Sequence, residues 1–567
     1  MQQRYLLVSI LLGGSCFPAY AQDAGSILSD KLRFDDIPEM PPLSSATTEN
    51  EPVSLPMATA FEPTVQIRSL RFNGNISLLT EAQRMELSSG VEGTEIGMAG
   101  IRALTEGVNT KLAQNGYLLA QAIIPPQDTA NGVLAVSIFA APLDDLTFKF
   151  DKSVRTNSEM FLAVTERHID RERFNKNDLD TALRVINDFP GVNARSRLAQ
   201  GKLAGTSKVI VDVSQEPLIT SSFNTDNFGH PSIGRIHAAA RIELADITGN
   251  GDLARLGVEV SKGHRYGSVS LIEPVPSREL LATFDYGYLH YDNIELADEA
   301  ATLRGSAHYT AVGLMKQAIR SRDHRLAFSV MVNGKVLRDF SRDGKVVDKH
   351  SVSGVLGIVG ELSDTLGGGG ANVFSASWTF GKLKSTEIFS GPGIKSQGHF
   401  HRLNAYVARL QKLPGNFNLY ASLSGQWANK DLDSSENFSL GGPNGVRSLA
   451  VGEARGYKGI LGRAELQYHT PFRLISGNVR IAGSIDSGRV WENTNFSGLL
   501  PLSARNGNSY SVSSMGVNAS FRHKNFDMSI GWAQGFARKG GRRGITGARP
   551  DDEKSRKKFW LSGSIRF

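Results

Sequence analysis

Cysteine is all but absent: the 567 residues hold one, Cys16. Disulfides, thiol catalysis and zinc–thiolate sites are thereby excluded for any chain that loses its first residues. Long apolar runs are also missing beyond residue 30. A spanning helix needs about 20 predominantly apolar residues, and the uncharged stretch Thr365–Gly381 is broken by Gly367–Gly370. A polytopic helical membrane protein is excluded. A β-barrel is not, because its strands alternate in polarity and average to mild hydrophilicity; the mean hydropathy of −0.21 fits that. Charged residues at 21% and hydrophobic residues at 40% rule out disorder throughout, and 59 glycines favour turns and strands. The net charge of +7 is spread along the chain. Its one dense run is Arg538–Lys558, with no nucleic-acid motif around it, so nucleic acid is not expected as a partner.

Enzyme signatures are missing as well. There is no G-x-x-x-x-G-K-[ST], H-E-x-x-H or G-x-S-x-G string. The twelve histidines are dispersed. His399 and His401 share a strand face where two imidazoles can meet a metal, but rim or lumen polarity explains them more simply. No catalytic residue, cofactor or metal is therefore expected.

What is present reads in segments. Arg4, the apolar Leu6–Leu12 and Ala19-Tyr20-Ala21 form a secretion signal over 1–21. Acylation at Cys16 is disfavoured by Gly13, which stands where lipoprotein signals want leucine. In 22–62, Ile27, Leu28, Leu32 and Phe34 mark a short amphipathic helix, and Pro38, Pro41, Pro42, Pro52 and Pro56 an extended linker. Residues 63–143 read β-α-α-β-β, with helices over Thr80–Leu87 (Thr80 the N-cap) and Met98–Gln114 and a stop at Gly116. Residues 144–216 repeat that order, with helices over Ser158–Ile169 and Lys176–Asn187. Adjacent modules with one element order form an internal repeat.

From 217 to 567 helical periodicity gives way to short alternating stretches. About 16 can be counted, many near the 9–11 residues of a spanning strand. In the last, Phe559, Leu561, Gly563, Ile565 and Phe567 fall on one face and Trp560, Ser562, Ser564 and Arg566 on the other. A lipid exterior and an aqueous lumen demand that split. If both termini are periplasmic, the connection holding Arg538–Lys558 is extracellular.

Gly441-Gly442-Pro443-Asn444-Gly445-Val446-Arg447, followed by Val451-Gly452-Glu453-Ala454, then Gly459, Gly462 and Glu465-Leu466, resembles the lumenal loop of two-partner secretion transporters of the hemolysin-activator type, in the BamA-like superfamily. Ile186-Asn187-Asp188-Phe189-Pro190-Gly191-Val192, Asp226-Asn227-Phe228-Gly229 and Gly249-Asn250-Gly251-Asp252-Leu253 fit the same family. The resemblance covers nearly the whole chain after the signal. It implies a plug helix, two periplasmic polypeptide-transport-associated (POTRA) domains and a transmembrane antiparallel β-barrel ending at Phe567, the C-terminal barrel signal. It also implies export of a partner exoprotein, hemolysin- or adhesin-like, across the bacterial outer membrane, with outer-membrane lipid and the barrel assembly machinery as further partners. A passive channel or receptor gives residues 65–216 no role. A barrel-insertion factor usually carries another number of POTRA domains.

The family usually places an aromatic soon after the loop arginine; Ser448-Leu449 stands here. A loop folded into a wide barrel needs an anchor, and arginine offers a fork that a carboxylate accepts bidentately. Ala482, Ser484 and Asp486 form the lumen-facing set of their strand, so Asp486 is the expected partner of Arg447. With many glycines and few bulky apolar residues, the loop is expected to be held weakly by packing.

Cleavage after Ala21 should leave Gln22 as the first residue of the outer-membrane protein. N-terminal sequencing checks this; an acylated Cys16 would contradict it.

Overall fold

A computed structural model describes residues 23–35, 40, 64–140, 142–202, 206–275, 279–294, 303–341, 344–386, 396–492, 509–536 and 556–567. The signal segment, most of the proline-rich linker and most of the basic stretch from Arg538 lie outside these residues. The chain divides into two compact units: the N-terminal helix together with Pro217–Phe567, and the segment ending at Glu216.

In that segment, Ser69–Gly74 pairs in parallel with Val133–Phe139, which pairs antiparallel with Gln121–Ile123. Helices Glu81–Ser89 and Met98–Gln114 accompany this sheet. Thr80 caps the first in a reciprocal box with Gln83. Gly116, at φ +92°, ends the second in the left-handed region that a side chain disfavours. The next module repeats the plan: Leu143–Phe150 runs parallel to Ser207–Gln215, which runs antiparallel to Val192–Gln200. Its helices are Ser158–His168 and Lys176–Asn187. The modules are joined by hydrogen bonds: Lys176 N–H donates to the Gly116 carbonyl (2.8 Å) and Asn175 Nδ2 to that of Asn115 (3.0 Å). Each keeps its own core, around Val108, Leu112 and Val136 in the first and Phe161, Ile186 and Val211 in the second.

The other unit is a closed antiparallel barrel of sixteen strands, from Ile219–Asp226 to Lys557–Arg566. Every alternating stretch in the sequence has become one of them. Closure satisfies the backbone polar groups that hydrocarbon cannot solvate. Several strands exceed the expected length; Gly344–Asp364 has 21 residues. A strand must be apolar outside only where lipid touches it, so pairing continues past the membrane and the sequence understates its extent.

Alternation sets the faces. In Arg304–Arg320, Val312 and Leu314 point outward, while Ala307, Tyr309 and Ala311 are buried inward. In the last strand, Phe559 and Leu561 are exposed and Trp560 is buried, as the pattern requires. The seam between last and first strands is tied further. Asn227 Nδ2 donates to the Phe559 carbonyl (2.9 Å), and its Oδ1 accepts from Leu561 N–H (2.8 Å). Phe567 N–H donates to the Ser221 carbonyl (2.9 Å). The terminal phenylalanine thus closes the barrel through its backbone while its ring stays exposed.

Candidate functional site: a helix and a loop locked inside the barrel

The N-terminal helix α1 (Ala24–Asp35) forms where the apolar spacing places it. Asp23 and Ser26 cap its start: Ser26 N–H donates to Asp23 Oδ1 (2.8 Å), and Asp23 N–H to Ser26 Oγ (3.1 Å). Ala24, Ile27 and Leu28 pack against Leu289, Tyr291, Ala307, Ala311, Met331 and Leu337. These belong to the inward face of three consecutive strands, so α1 lies in the lumen. Burial of Ile27 and Leu28 contributes about 1.5–3 kcal/mol each.

The second lumenal element runs from Asp431 to Gly456 and is buried over most of its length. It folds back on itself, pairing Phe438–Ser439 with Arg455–Gly456. Two glycines of the motif allow close backbone packing. A Cβ on Gly441 would lie 1.9 Å from the Ala450 carbonyl oxygen, and one on Gly445 1.9 Å from that of Leu440. Val446 N–H donates to the Leu440 carbonyl across this turn (2.7 Å). Pro443 and Asn444 make its tip, their carbonyls accepting from Arg447 Nε (3.3 Å) and Arg463 Nη1 (3.1 Å). Gly442 N–H donates to Leu449 (3.2 Å), and Gly452 sits at φ +81°. Glu453 staples the return, its carboxylate accepting from Ala450 N–H (3.1 Å).

The expected weak packing is not what the structure shows. Leu440, Val446 and Leu449 bury against wall residues Leu461, Val490 and Val512. Leu449, 3% exposed, fills this apolar cluster. The sequence hides this because the apolar residues are spaced irregularly and meet only when the loop folds on the wall.

The anchor at Arg447 also differs from the expected fork on Asp486. Its guanidinium donates to Glu465, while Nη2 lies 3.6 Å from Asp486 Oδ1. Asp486, fully buried, instead accepts from the backbone N–H of Arg447 (3.3 Å) and from Ser514 Oγ (3.1 Å). Arg463 completes the group, 3.3 Å from Glu465 and 3.7 Å from Asp486. Register explains it: Arg463 pairs directly with Asp486, and Glu465 is the next residue on the same face of the same strand. Two arginines and two carboxylates thus share one cluster. Trp560 Nε1 donates to the Arg447 carbonyl (2.8 Å), tying the loop tip to the last strand.

A further charged layer, which no sequence motif marked, joins loop, helix and wall. Lys335 Nζ lies 2.7 Å from Glu436, Arg402 Nη2 3.4 Å from Glu436, and Lys349 Nζ 2.8 Å from Asp433 and 3.7 Å from Asp23. All six residues are at most 4% exposed. Asp339 accepts from Ala24 N–H (2.9 Å) and Tyr291 Oη (2.6 Å). Ser434 Oγ donates to Asp23, and Arg455 to Asp30. Gly25 permits the contact, since a Cβ there would lie 2.3 Å from Ser434 Oγ. The signal was faint: Lys335, Asp339 and Lys349 lie on the lumen phase of long strands. His399 and His401 are both exposed, His401 stacking on Trp378.

Comparison with known proteins decides the family. The model of haemolysin secretion/activation proteins ShlB/FhaC/HecB matches residues 205–544, and that of the ShlB-type POTRA domain residues 65–140. The chain belongs to the ShlB/FhaC/HecB family. It is 26% identical over 494 residues to the heme/hemopexin transporter protein HuxB of Haemophilus influenzae strain 86-028NP, covering 83% of this chain and 85% of that one. It is 22% identical to the outer membrane transporter CdiB of Dickeya dadantii, over 76% and 77% of the two chains. Among solved structures, CdiB from Escherichia coli superposes with a TM-score of 0.69 at 17% identity, covering 92% of this chain and 94% of that one. CdiB from Acinetobacter baumannii gives 0.63 at 16%, over 95% and 96%. As a member of this family, the chain is an outer-membrane secretion transporter for a partner exoprotein, with its POTRA domains in the periplasm.

Lys349→Ala would leave Asp23 and Asp433 buried without their shared cation. Breaking such a pair costs about 3–5 kcal/mol, charged here to the seat of α1 and the loop. The variant should spend far more time open in planar-bilayer conductance than the parent. An unchanged closed state would show that the layer does not hold α1.

Proposed function

We propose that α1 and the inward loop together stopper the resting barrel, and that cargo captured by the POTRA domains releases them. The observation that carries this is the seat of α1: a helix bound to the lumen wall and loop through Asp23, Asp30 and Lys31 and a small apolar face. Such a helix can leave without unfolding any barrel strand. Strand addition to a POTRA sheet captures an extended segment through main-chain hydrogen bonds and needs no catalytic cluster. Folding of the exoprotein outside then prevents its return. The cargo is a hemolysin- or adhesin-like exoprotein. The haemolysin secretion/activation family to which the chain belongs supports that cargo class, and the names of HuxB and CdiB, both transporters, support transport. The outward apolar residues meet lipid, and the barrel assembly machinery reads the strand ending in Phe567.

The test is co-expression with candidate exoproteins. Deleting 65–142 removes a module with its own core and should abolish secretion while leaving a heat-modifiable barrel. Normal secretion by the deletion would favour the passive channel.

Arg447 acts as the latch of the loop. A charge-assisted hydrogen bond of this kind contributes about 1.5–3 kcal/mol. Arg447→Ala should reduce secretion strongly at unchanged barrel abundance, and Arg447→Lys should restore it only in part, an ammonium lacking the fork. Glu465→Ala should act through the same interaction, so the double alanine variant should be little worse than either single one. Multiplying defects would show that the two residues act apart.

A further inference from the structure

Three adjacent strands bring two imidazoles and a carboxylate together on the lumen wall. Glu259 is on the middle strand, Leu253–Ser261. It faces Ala239 on one neighbour and Tyr266 on the other. His237 and His264 lie two residues from those partners, on the same face. His237 Nδ1 is 3.7 Å and His264 Nδ1 3.9 Å from Glu259 Oε1. One ligand atom from each residue falls within 4.8 Å of the others, the one such histidine–carboxylate cluster among the described residues. The imidazole rings are 5.7 Å apart between centroids.

Two observations point to a ligand. His264 is 3% exposed, yet neither ring nitrogen has a hydrogen-bond partner among the described residues. A buried polar group left unpaired costs about 1–3 kcal/mol, which a purely structural role does not return. The second observation is that a cation already sits here. The ammonium of Lys31, on α1, hydrogen-bonds Glu259 and lies 5.5 Å from the centre of the Tyr266 ring.

We propose that His237, Glu259 and His264 form a binding site for a divalent transition-metal ion, best fitted by zinc, for which the Lys31 ammonium is the built-in competitor. Two histidines and one glutamate are a donor set that zinc takes with a fourth position left open. Bonds of about 2.0–2.2 Å put such ligand atoms roughly 3.3–3.5 Å apart, so the spacing here needs only a small contraction. A monovalent ammonium satisfies the carboxylate but offers nothing to the imidazoles, both of which a metal ion would engage. Lys31 and the metal then exclude each other at Glu259. By linkage, whatever factor Lys31 costs the metal, the metal costs the seat of α1. Zinc would bias the barrel toward the state without its helix.

The site rests on the local geometry around Lys31 and not on any cargo, so metal binding is read directly. Tag-free full-length protein in detergent is titrated with Zn2+ by calorimetry, and with Co2+ by its visible d–d absorption. Lys31→Ala should bind one equivalent at least tenfold more tightly than the parent. Adding His264→Ala or Glu259→Gln to Lys31→Ala should remove that equivalent and the tetrahedral cobalt spectrum, with heat-modifiability confirming the folded barrel. The glutamine keeps the shape should the alanine variant fail to fold. In planar bilayers, Zn2+ should raise the open fraction of the parent and leave His264→Ala unchanged. Equal affinity in the parent and Lys31→Ala would overturn the competition. Retention of the metal after either ligand substitution would place it elsewhere and overturn the site.

Discussion

The interior of this barrel depends on charge balance. Lys335, Lys349 and Arg402 project from the wall into a space that the chain itself has filled. An unpaired ion in such a space costs several kcal/mol after relaxation, so these cations require anionic partners. Glu436 and Asp433 from the loop, and Asp23 from the helix cap, provide them. Helix and loop thus share the cation Lys349, and each helps the other to stay.

That dependence suits a channel that must be shut without being sealed. A plug held by apolar packing alone resists release in proportion to its buried area. Ion pairs behave differently, since water or an incoming polar chain can replace each partner in turn. Here α1 buries few apolar side chains and takes much of its hold from Asp23, Asp30 and Lys31. The loop is fixed more heavily, by the apolar cluster around Leu449 and the four-charge group at Arg447. The two elements are therefore graded: the helix is held by fewer contacts than the loop, and its partners on the loop are Arg455 and Ser434.

The barrel wall itself was legible almost strand by strand, because alternation with period two is a local property and lipid enforces it on one face only. The POTRA modules were legible for a related reason: Thr80, Gly116 and the apolar stripe of Met98–Gln114 act within a turn or two of their own positions. The string from Gly441 to Arg447 marked the lumenal loop, and its glycines prove to be needed at Gly441 and Gly445, where backbone meets backbone. Strand lengths were understated, since nothing apolar marks a strand once it leaves the membrane.

The sequence by itself determined which residues alternate, where helices start and stop, and which side of each strand meets lipid. It did not determine who partners whom inside the barrel. Arg447 was expected to clasp Asp486 with a fork; it lies 3.6 Å from that carboxylate and hydrogen-bonds Glu465 as well, because register sets two carboxylates and a second arginine around it. Lys349 meets Asp23 across more than 300 residues of chain, and Lys31 meets Glu259 across 228. Such pairs arise only when sixteen strands close and bring distant segments to one wall. Side-chain direction follows from the residue and its neighbours; side-chain partnership follows from closure, and only the tertiary structure contains that.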